Sequence, residues 1–368
     1  IGLTSSISSS GGVGQPDIPV SLPNDLPRGA DKLAIIADER NDENTVVAQT
    51  HLAFLKFHNR VMAKGPQRGP DGPGTPFERA QRVVRWHYQW IILHDFLPKV
   101  ADQRVIDDVR TNGRRFYRFD RDPFDGRPFM PLEFSVAAYR MGHSLIRETY
   151  NFNRVFAHRS VEPTALIEAS LSLLFAFTGR GGFLPAGPDH VALPSYWIID
   201  WRRFYQVGEP RLLNFARRID TNLVPALHQL PGAPPAFASL AVRNLLRGSR
   251  IGLPAGQDVA QAMGVTALTP EEIASGDDGP MLREHGLHER TPLWYYVLKE
   301  AEVKTGGQRL GPVGSRIVAE VFVGLLEGDP TSFVAADRNW KPTLPSSAPG
   351  VFAMADLLRF VNDINPIG

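Results

Sequence analysis

The chain has 368 residues, 43% of them hydrophobic, which is enough to bury the core of one large domain or two closely packed ones. The chain has 40 Lys and Arg residues and 39 Asp and Glu residues, a net charge of +1. This balance gives no electrostatic reason to expect a nucleic acid or an anionic membrane as the main partner. The absence of Cys excludes disulfides, thiolate metal ligands and cysteine nucleophiles. Since no apolar run approaches the roughly 18 residues of a membrane span, we expect the function to lie in a pocket.

The N-terminal part is rich in Ser and Gly and offers little to bury. We therefore predict a flexible lead-in over residues 1–32 and a single helical domain over residues 33–368. The chain begins with Ile1 and shows no basic and apolar signal pattern, so we expect further residues upstream in the full protein. Localisation is left open by such a start.

A helix is predicted over residues 45–63, after the charged stretch that contains Arg40 and Glu43. Asn41 or Asp42 can cap its first amides, because short polar side chains accept hydrogen bonds from a free helix N-terminus. Arg40 and Glu43 then stand at the entrance of the helix. On spacing alone, a solvated helix cap explains both charges.

The remaining elements are also predicted to be mainly helical, with very little β structure. A helix over 77–97 is expected to stop at Pro98, because proline lacks the N–H that continues a helix. An apolar helix is expected over 164–177, and residues 196–201 form a helix or a buried connection. Later helices are predicted over 236–246, 258–263, 291–304, 312–326 and 352–361.

One histidine, His143, stands on an apolar segment that begins near Pro131. A lone histidine on an apolar helix face is more often a hydrogen-bonded core residue than a metal ligand. Spacing alone therefore does not identify a metal site.

Three separated motifs resemble the animal-type haem peroxidase superfamily, in particular its cysteine-free bacterial branch. The first is Asp-x-Arg-x-x-Glu at 38–43, followed by His51 and the His-Asn-Arg run at 58–60. The second is Arg-x-Gly-His-Ser-Leu-Ile at 140–146, and the third is Asn244 with Arg247 and then Gly-Leu-Pro at 252–254. Each motif is weak alone, but their order and spacing over about 215 residues make the match specific. The resemblance implies a mainly α, large helical haem peroxidase domain.

The resemblance also implies roles for six residues. His143 is the expected proximal ligand of the haem iron, and Asn244 the residue that hydrogen-bonds its other ring nitrogen. Arg140 and Arg247 are expected to bind the haem propionates. Arg40 is the expected distal arginine, and Glu43 occupies the position that forms an ester to a haem methyl in several relatives. The cofactor is then haem b or ester-linked haem, and the partners are hydrogen peroxide and a small electron donor.

Two motifs of the family have no counterpart in residues 1–37. The family's distal base lies in a Gln-x-x-Asp-His motif before the Asp-x-Arg motif, in a region that also holds a calcium loop, whereas residues 1–37 contain no His. Calcium is therefore expected only through an upstream region. Either a second chain or upstream fragment carries the distal His, or the protein has lost it.

Three functions remain open at this point. A peroxidase that oxidises halide or small organic donors is favoured. A fatty-acid dioxygenase of the same superfamily needs a Tyr three residues before the proximal His, where this chain has Arg140. A peroxidase-like scaffold without catalysis, with or without haem, is the third.

Overall fold

The computed structural model describes residues 24–29, 33–65, 74–119, 126–179, 193–230 and 234–366. The chain divides into two compact units, each built from separate stretches of sequence. Unit 1 comprises Ile1–Tyr88, Glu148–Phe215 and Lys341–Gly368, and unit 2 comprises Gln89–Arg147 and Ala216–Trp340. The domain boundaries expected at residues 32 and 33 remain a prediction.

Helices dominate the described residues, which confirms the mainly α prediction. The α-helices are α1 (Thr45–Lys64), α2 (Pro76–Ile91), α3 (Leu97–Val100), α4 (Gln103–Asn112), α5 (Gly142–Leu145), α6 (Leu240–Arg250), α7 (Gly256–Met263), α8 (Pro270–Ile273), α9 (Gly279–Glu284), α10 (Leu293–Thr305), α11 (Pro312–Glu327), α12 (Phe333–Ala336) and α13 (Met354–Val361). π-helical turns cover Ile92–Phe96 and Glu133–Ala137.

Short 3₁₀ helices and one small sheet complete the described structure. The 3₁₀ helices are Glu39–Asp42, Ala138–Met141, Ser172–Phe175, Ser195–Trp197, Trp201–Arg203, Pro210–Leu212, Pro225–His228 and Pro235–Phe237. Strands β1 (Thr149–Tyr150) and β2 (Ala169–Ser170) pair antiparallel. Within the described ranges, no helix has both the length and the apolar composition that a membrane crossing requires.

The core of unit 1 forms where α1 packs against the C-terminal stretch. The fully buried ring of Phe57 lies 6.1 Å from that of Phe352 and 5.6 Å from that of Phe360, between ring centroids. The buried imidazole of His87 anchors the same stretch, because its Nδ1 lies 2.7 Å from the carbonyl oxygen of Val83 and its Nε2 accepts the N–H groups of Thr343 and Leu344. These contacts require a neutral ring that is protonated on Nδ1.

The core of unit 2 is built on α10 and α11, whose buried faces hold most of their apolar residues. The carboxylate of Glu300 is 1% exposed and accepts the N–H groups of Val313 and Gly314 at the start of α11. This satisfies donors that would otherwise have no partner at a helix N-terminus. The contact fixes where α11 begins relative to α10.

Two predicted helices are wrong in detail. The helical path does not end at Pro98. The π-helical turn Ile92–Phe96 precedes this residue, and Pro98 lies in the first turn of α3, where its missing N–H costs little. Residues 164–177 are not an α-helix but β2 followed by a 3₁₀ turn. There, pairing of Ser170 with Thr149 overrides local helix propensity.

Part of the predicted lead-in is described and packed. Asp25, Leu26 and Arg28 are 4%, 1% and 7% exposed, and Arg28 Nη1 donates to Asp42 Oδ2 at 2.8 Å. Residues 1–23 and 30–32 lie outside the described residues. Residues 196–201, expected to form a helix or a buried connection, link two short 3₁₀ helices, with Trp197 and Trp201 each 4% exposed.

Candidate functional site

His143 lies where the helix type changes twice within ten residues. A π-helix, a 3₁₀ turn and α5 follow one another in the run Glu133–Ala137, Ala138–Met141 and Gly142–Leu145. The hydroxyl of Ser144 donates to the carbonyl oxygen of Met141 at 2.9 Å, and the backbone N–H of Arg217 donates to the carbonyl oxygen of Leu145 at 3.1 Å. These bonds fix the short helical turn that carries the imidazole.

The amide of Asn244 holds the His143 ring. Its nitrogen lies 2.8 Å from His143 Nδ1, and Asn244 is 2% exposed on α6. A half-turn of the amide puts its oxygen in the same place, where it accepts an Nδ1–H and leaves the Nε2 lone pair free for a metal. Burial, and then the positive charge of Arg140, lower the pKa of His143 to about 4. The ring is therefore neutral at neutral pH, as a metal ligand must be.

Two arginines, half-buried Arg140 next to His143 and exposed Arg247 near Arg140, form no ion pair with a carboxylate among the described residues. Nε of Arg140 is buried and has no hydrogen-bond partner among the described residues. Burial, and then the charge of Arg247, lower the pKa of Arg140, so the two guanidinium groups are close enough to repel each other. Arg140 precedes His143 by three residues, and Arg247 follows Asn244 by three residues. At this spacing, the two side chains of each pair lie on the same side of their helical segment. The arrangement favours an anion between the two cations.

Trp294 supports the same turn and was not predicted. Its indole N–H donates to the carbonyl oxygen of Arg140 at 3.4 Å, and the side chain is 5% exposed on α10. In the sequence it stands in an apolar helix with other aromatic residues, where nothing marks it as a neighbour of the site. Only the packing of α10 reveals this contact.

The predicted distal arginine has a different setting, in unit 1. The Arg40 side chain is 82% exposed, and its Nε and Nη2 donate to Asp38 at 2.9 and 2.5 Å. Asp38 also caps the 3₁₀ helix Glu39–Asp42 by accepting the Arg40 N–H at 3.0 Å. These hydrogen bonds from Arg40 lower the pKa of Asp38 to about 2. Arg40 is thus paired within its own turn.

The backbone around Glu43 is more firmly held than its side chain. Glu43 is exposed, but its carbonyl oxygen accepts the Thr178 hydroxyl at 3.1 Å. Asp42, 3% exposed, binds Arg28 and accepts the Gly179 N–H at 2.9 Å. Arg40 and Glu43 both line a recess of about 340 Å³ in unit 1.

The helix cap near these residues differs from the prediction. Asn44, rather than Asn41 or Asp42, caps α1 by accepting the N–H of Val47 at 3.1 Å. Asn41 and Asp42 belong to the preceding 3₁₀ helix, so they lie too far before α1 to cap it.

The residues around His143 fit an iron-bound haem. A neutral imidazole would supply a nitrogen ligand to the iron, and two arginines without acidic partners among the described residues would suit the two carboxylates of a haem. Gly142 has ordinary helical angles, and a Cβ built there would meet nothing within 4 Å, so the space next to the histidine is open. Arg40 and Glu43 lie together in unit 1, and Arg140, His143, Asn244 and Arg247 lie in unit 2.

Comparison with known proteins points to the same family. Residues 14–178 match the family model described as animal haem peroxidase, a range that contains Arg40, Glu43, Arg140 and His143. A peroxidase-like protein from Margaritifera margaritifera is 31% identical over 309 residues, covering 79% of this chain and 36% of that protein. Eosinophil peroxidase from Mus musculus is 25% identical over 309 residues, covering 80% of this chain and 39% of that protein.

A solved structure shows the same fold. Peroxidase A from Dictyostelium discoideum matches with a TM-score of 0.57 and 17% identity, over 96% of this chain and 62% of that one. The chain spans less than two-fifths of the length of the two curated relatives described above.

Proposed function

We propose that this chain, a relative of the animal haem peroxidases, binds haem through His143 and takes part in reducing hydrogen peroxide while oxidising a halide or small organic donor. The observation that carries the proposal is the neutral, half-buried imidazole of His143, held at Nδ1 by Asn244 at 2.8 Å near two arginines that have no acidic partner among the described residues. A core histidine needs no such pair of cations. A site that binds haem does need cations, because haem carries two carboxylates.

The bound haem supplies an iron that accepts electrons from the donor and passes them to peroxide. His143 would hold the iron through the lone pair of Nε2. The Asn244 amide fixes the tautomer and limits rotation of the ring, which sets how strongly the histidine donates. Arg140 and Arg247 hold propionates, and this removes the mutual repulsion of the two guanidinium groups.

Arg40 and Glu43 have the proposed distal roles. A guanidinium keeps its charge at physiological pH, so Arg40 stabilises negative charge on a leaving peroxide oxygen without giving up a proton. To do so it must leave the Asp38 carboxylate, and its 82% exposure leaves it free to move. Glu43 is the candidate for an ester to a haem methyl.

Peroxide cleavage also needs a base that moves a proton from one oxygen to the other. Residues 1–37 contain no His, so we assign this role to a histidine carried by an upstream region or a second chain. The donor is selected by the shape of the access channel, and we propose no specific donor.

The test is a visible absorption spectrum of the protein produced with its natural upstream region and haem, before and after hydrogen peroxide. We expect a Soret band that shifts with peroxide and returns when a phenolic donor is added. A protein with no Soret band would refute the haem proposal. A band that never shifts would leave haem binding intact and refute peroxide reduction.

The second of these outcomes describes the alternative function, a haem-binding scaffold without catalysis. The pairing of Arg40 with Asp38 is the observation that favours it, because a paired arginine does not act on peroxide. Consumption of peroxide at a rate above that of free haem would exclude this alternative.

A further inference from the structure

Unit 2 contains a half-open cavity of about 370 Å³ outside the residues around His143. Its walls come from α7, α11 and the segments around residues 116–117 and 129–133. The apolar lining is mainly formed by Phe116, Phe129, Val259, Met263, Ile317 and Val321. This volume lies within the range of sites that bind small organic molecules, and such a lining suits an aromatic ring.

The aromatic wall of the cavity is held rigidly. Glu320 accepts the backbone N–H groups of Arg115, Phe116 and Tyr117 at 3.0, 2.8 and 2.9 Å. The Tyr117 hydroxyl donates to the carbonyl oxygen of Phe129 at 2.7 Å, which ties the two wall segments together. A rigid wall lowers the entropy that a ligand must lose on binding.

Two polar side chains of opposite charge line the cavity, and each has hydrogen-bonding capacity that the described residues do not use. The carboxylate of Glu133 makes no hydrogen bond or ion pair with the described residues. Arg316 forms ion pairs with Asp108 through Nη2 at 2.6 Å and with Glu320 through Nη1 at 3.7 Å, but its buried Nη1 has no hydrogen-bond acceptor among the described residues. Glu320 is already occupied by three N–H groups. The cavity therefore offers one acceptor for a cation and one donor for an oxygen.

We propose that this cavity binds a small aromatic molecule that carries both an ammonium group and a carboxylate, of the class of the aromatic amino acids. The ring packs against the apolar wall, the ammonium group binds Glu133, and the carboxylate accepts a hydrogen bond from Arg316 Nη1. A charged hydrogen bond at each end provides selectivity that the apolar wall alone lacks. The inference does not rest on the proposed peroxidase function, since every residue involved lies outside the haem-binding group.

The experiment measures binding to the full chain by calorimetry or ligand-observed NMR, with and without haem. The probes are L-tryptophan, tryptamine, which lacks the carboxylate, and 3-indolepropionate, which lacks the amine. Saturable binding of tryptophan, tighter than that of either analogue, is the expected result. Equal binding of tryptophan and indolepropionate, or no saturable binding of tryptophan, would overturn the proposal.

Two variants locate the site. Glu133→Gln should weaken tryptophan and tryptamine about tenfold and leave indolepropionate unchanged, because it removes only the charge that binds the amine. Ala262→Trp, at an exposed position that lines the cavity, should abolish binding of all three probes by filling the space. Tryptophan binding that is unchanged in both variants would place the ligand elsewhere and refute the assignment.

Discussion

Arg140 in unit 2 and Arg40 in unit 1 both have proposed roles toward haem, yet their electrostatic settings are opposite. Arg140 is half-buried, its Nε has no acceptor, and Arg247 lowers its pKa further. Arg40 is 82% exposed and already paired with Asp38. A half-buried guanidinium without an acidic partner among the described residues costs folding free energy, so the setting of Arg140 favours an anionic ligand. The setting of Arg40 carries no such indication, and its role rests on the resemblance.

The two units that hold Arg40 and Arg140 are also expected to differ in how their stability depends on pH. In unit 1, burial lowers the pKa of His87 to about 4, so its contribution to stability is present above pH 6.5 and is lost as pH falls through about 4. In unit 2, burial raises the pKa of Glu300 to about 7, so its contribution is present below pH 4.5 and is lost as pH rises through about 7. Each change is at most about 3 kcal/mol.

Denaturant unfolding between pH 4 and pH 8 measures both effects. His87→Gln should remove the loss of stability at low pH, and Glu300→Gln should remove the loss at high pH. Each variant should leave the opposite slope in place. If both variants changed the same slope, the assignment of one titrating group to each unit would be wrong.

Replacing Arg40 tests the distal side. We expect Arg40→Gln to slow peroxide consumption about a hundredfold, because it removes the charge that stabilises the leaving oxygen. Haem content and the unfolding midpoint should stay unchanged, since the exposed pair with Asp38 contributes little to stability. Stopped-flow spectra give the rate, and Arg104→Gln, another exposed arginine paired with an aspartate, is the matched control. A normal rate in Arg40→Gln would remove Arg40 from the mechanism.

Replacing Asn244 tests the proximal side. Asn244→Leu keeps the approximate volume but leaves His143 Nδ1 without a partner, so haem affinity should fall about tenfold or more. Asn244→Asp keeps a proton acceptor and should retain haem while lowering the reduction potential of the iron. Haem titration and redox titration measure the two effects. Equal haem affinity in the leucine variant would show that the 2.8 Å contact does not support the ligand.

The smallest expected effect concerns the helix that follows Glu43. Asn44→Ala removes the cap of α1 and should lower the free energy of unfolding by about 1 kcal/mol. Asn41→Ala is the matched control, because the Asn41 side chain caps no helix. Thermal or denaturant unfolding distinguishes them. A larger loss in Asn41→Ala would contradict the observed cap.

The sequence predicted the helical fold from its periodicity, whereas the residues named around His143 came from motif order and their roles remain a prediction. Long amphipathic segments such as α11 carry a clear helical period. Asn244, 101 residues from His143, was found only through motif order, and the structure now places the two side chains in contact. The sequence could not show that Arg40 would fold back onto Asp38, because two charges two residues apart either pair or separate depending on the local turn.

Other failures have tertiary causes. The helix expected over 164–177 is instead β2 followed by a 3₁₀ turn, because β2 pairs with the Thr149–Tyr150 strand. Pro98 did not end a helix, because a π-helical turn precedes it and Pro98 then lies in the first turn of α3. The sequence did not reveal this π-helical turn. The cavity near Glu133 was missed because its walls come from four separate segments, none of which contains a recognisable motif.

Haem retention by His143→Ala, compared with wild type and with His288→Ala, tests the central claim most directly. His288 is another half-buried histidine of unit 2, whose Nδ1 lies 3.3 Å from a backbone carbonyl oxygen. After haem loading and gel filtration, we predict a Soret band in wild type and His288→Ala and none in His143→Ala. Added imidazole should restore the band by occupying the axial position. A normal Soret band in His143→Ala without imidazole would contradict the account.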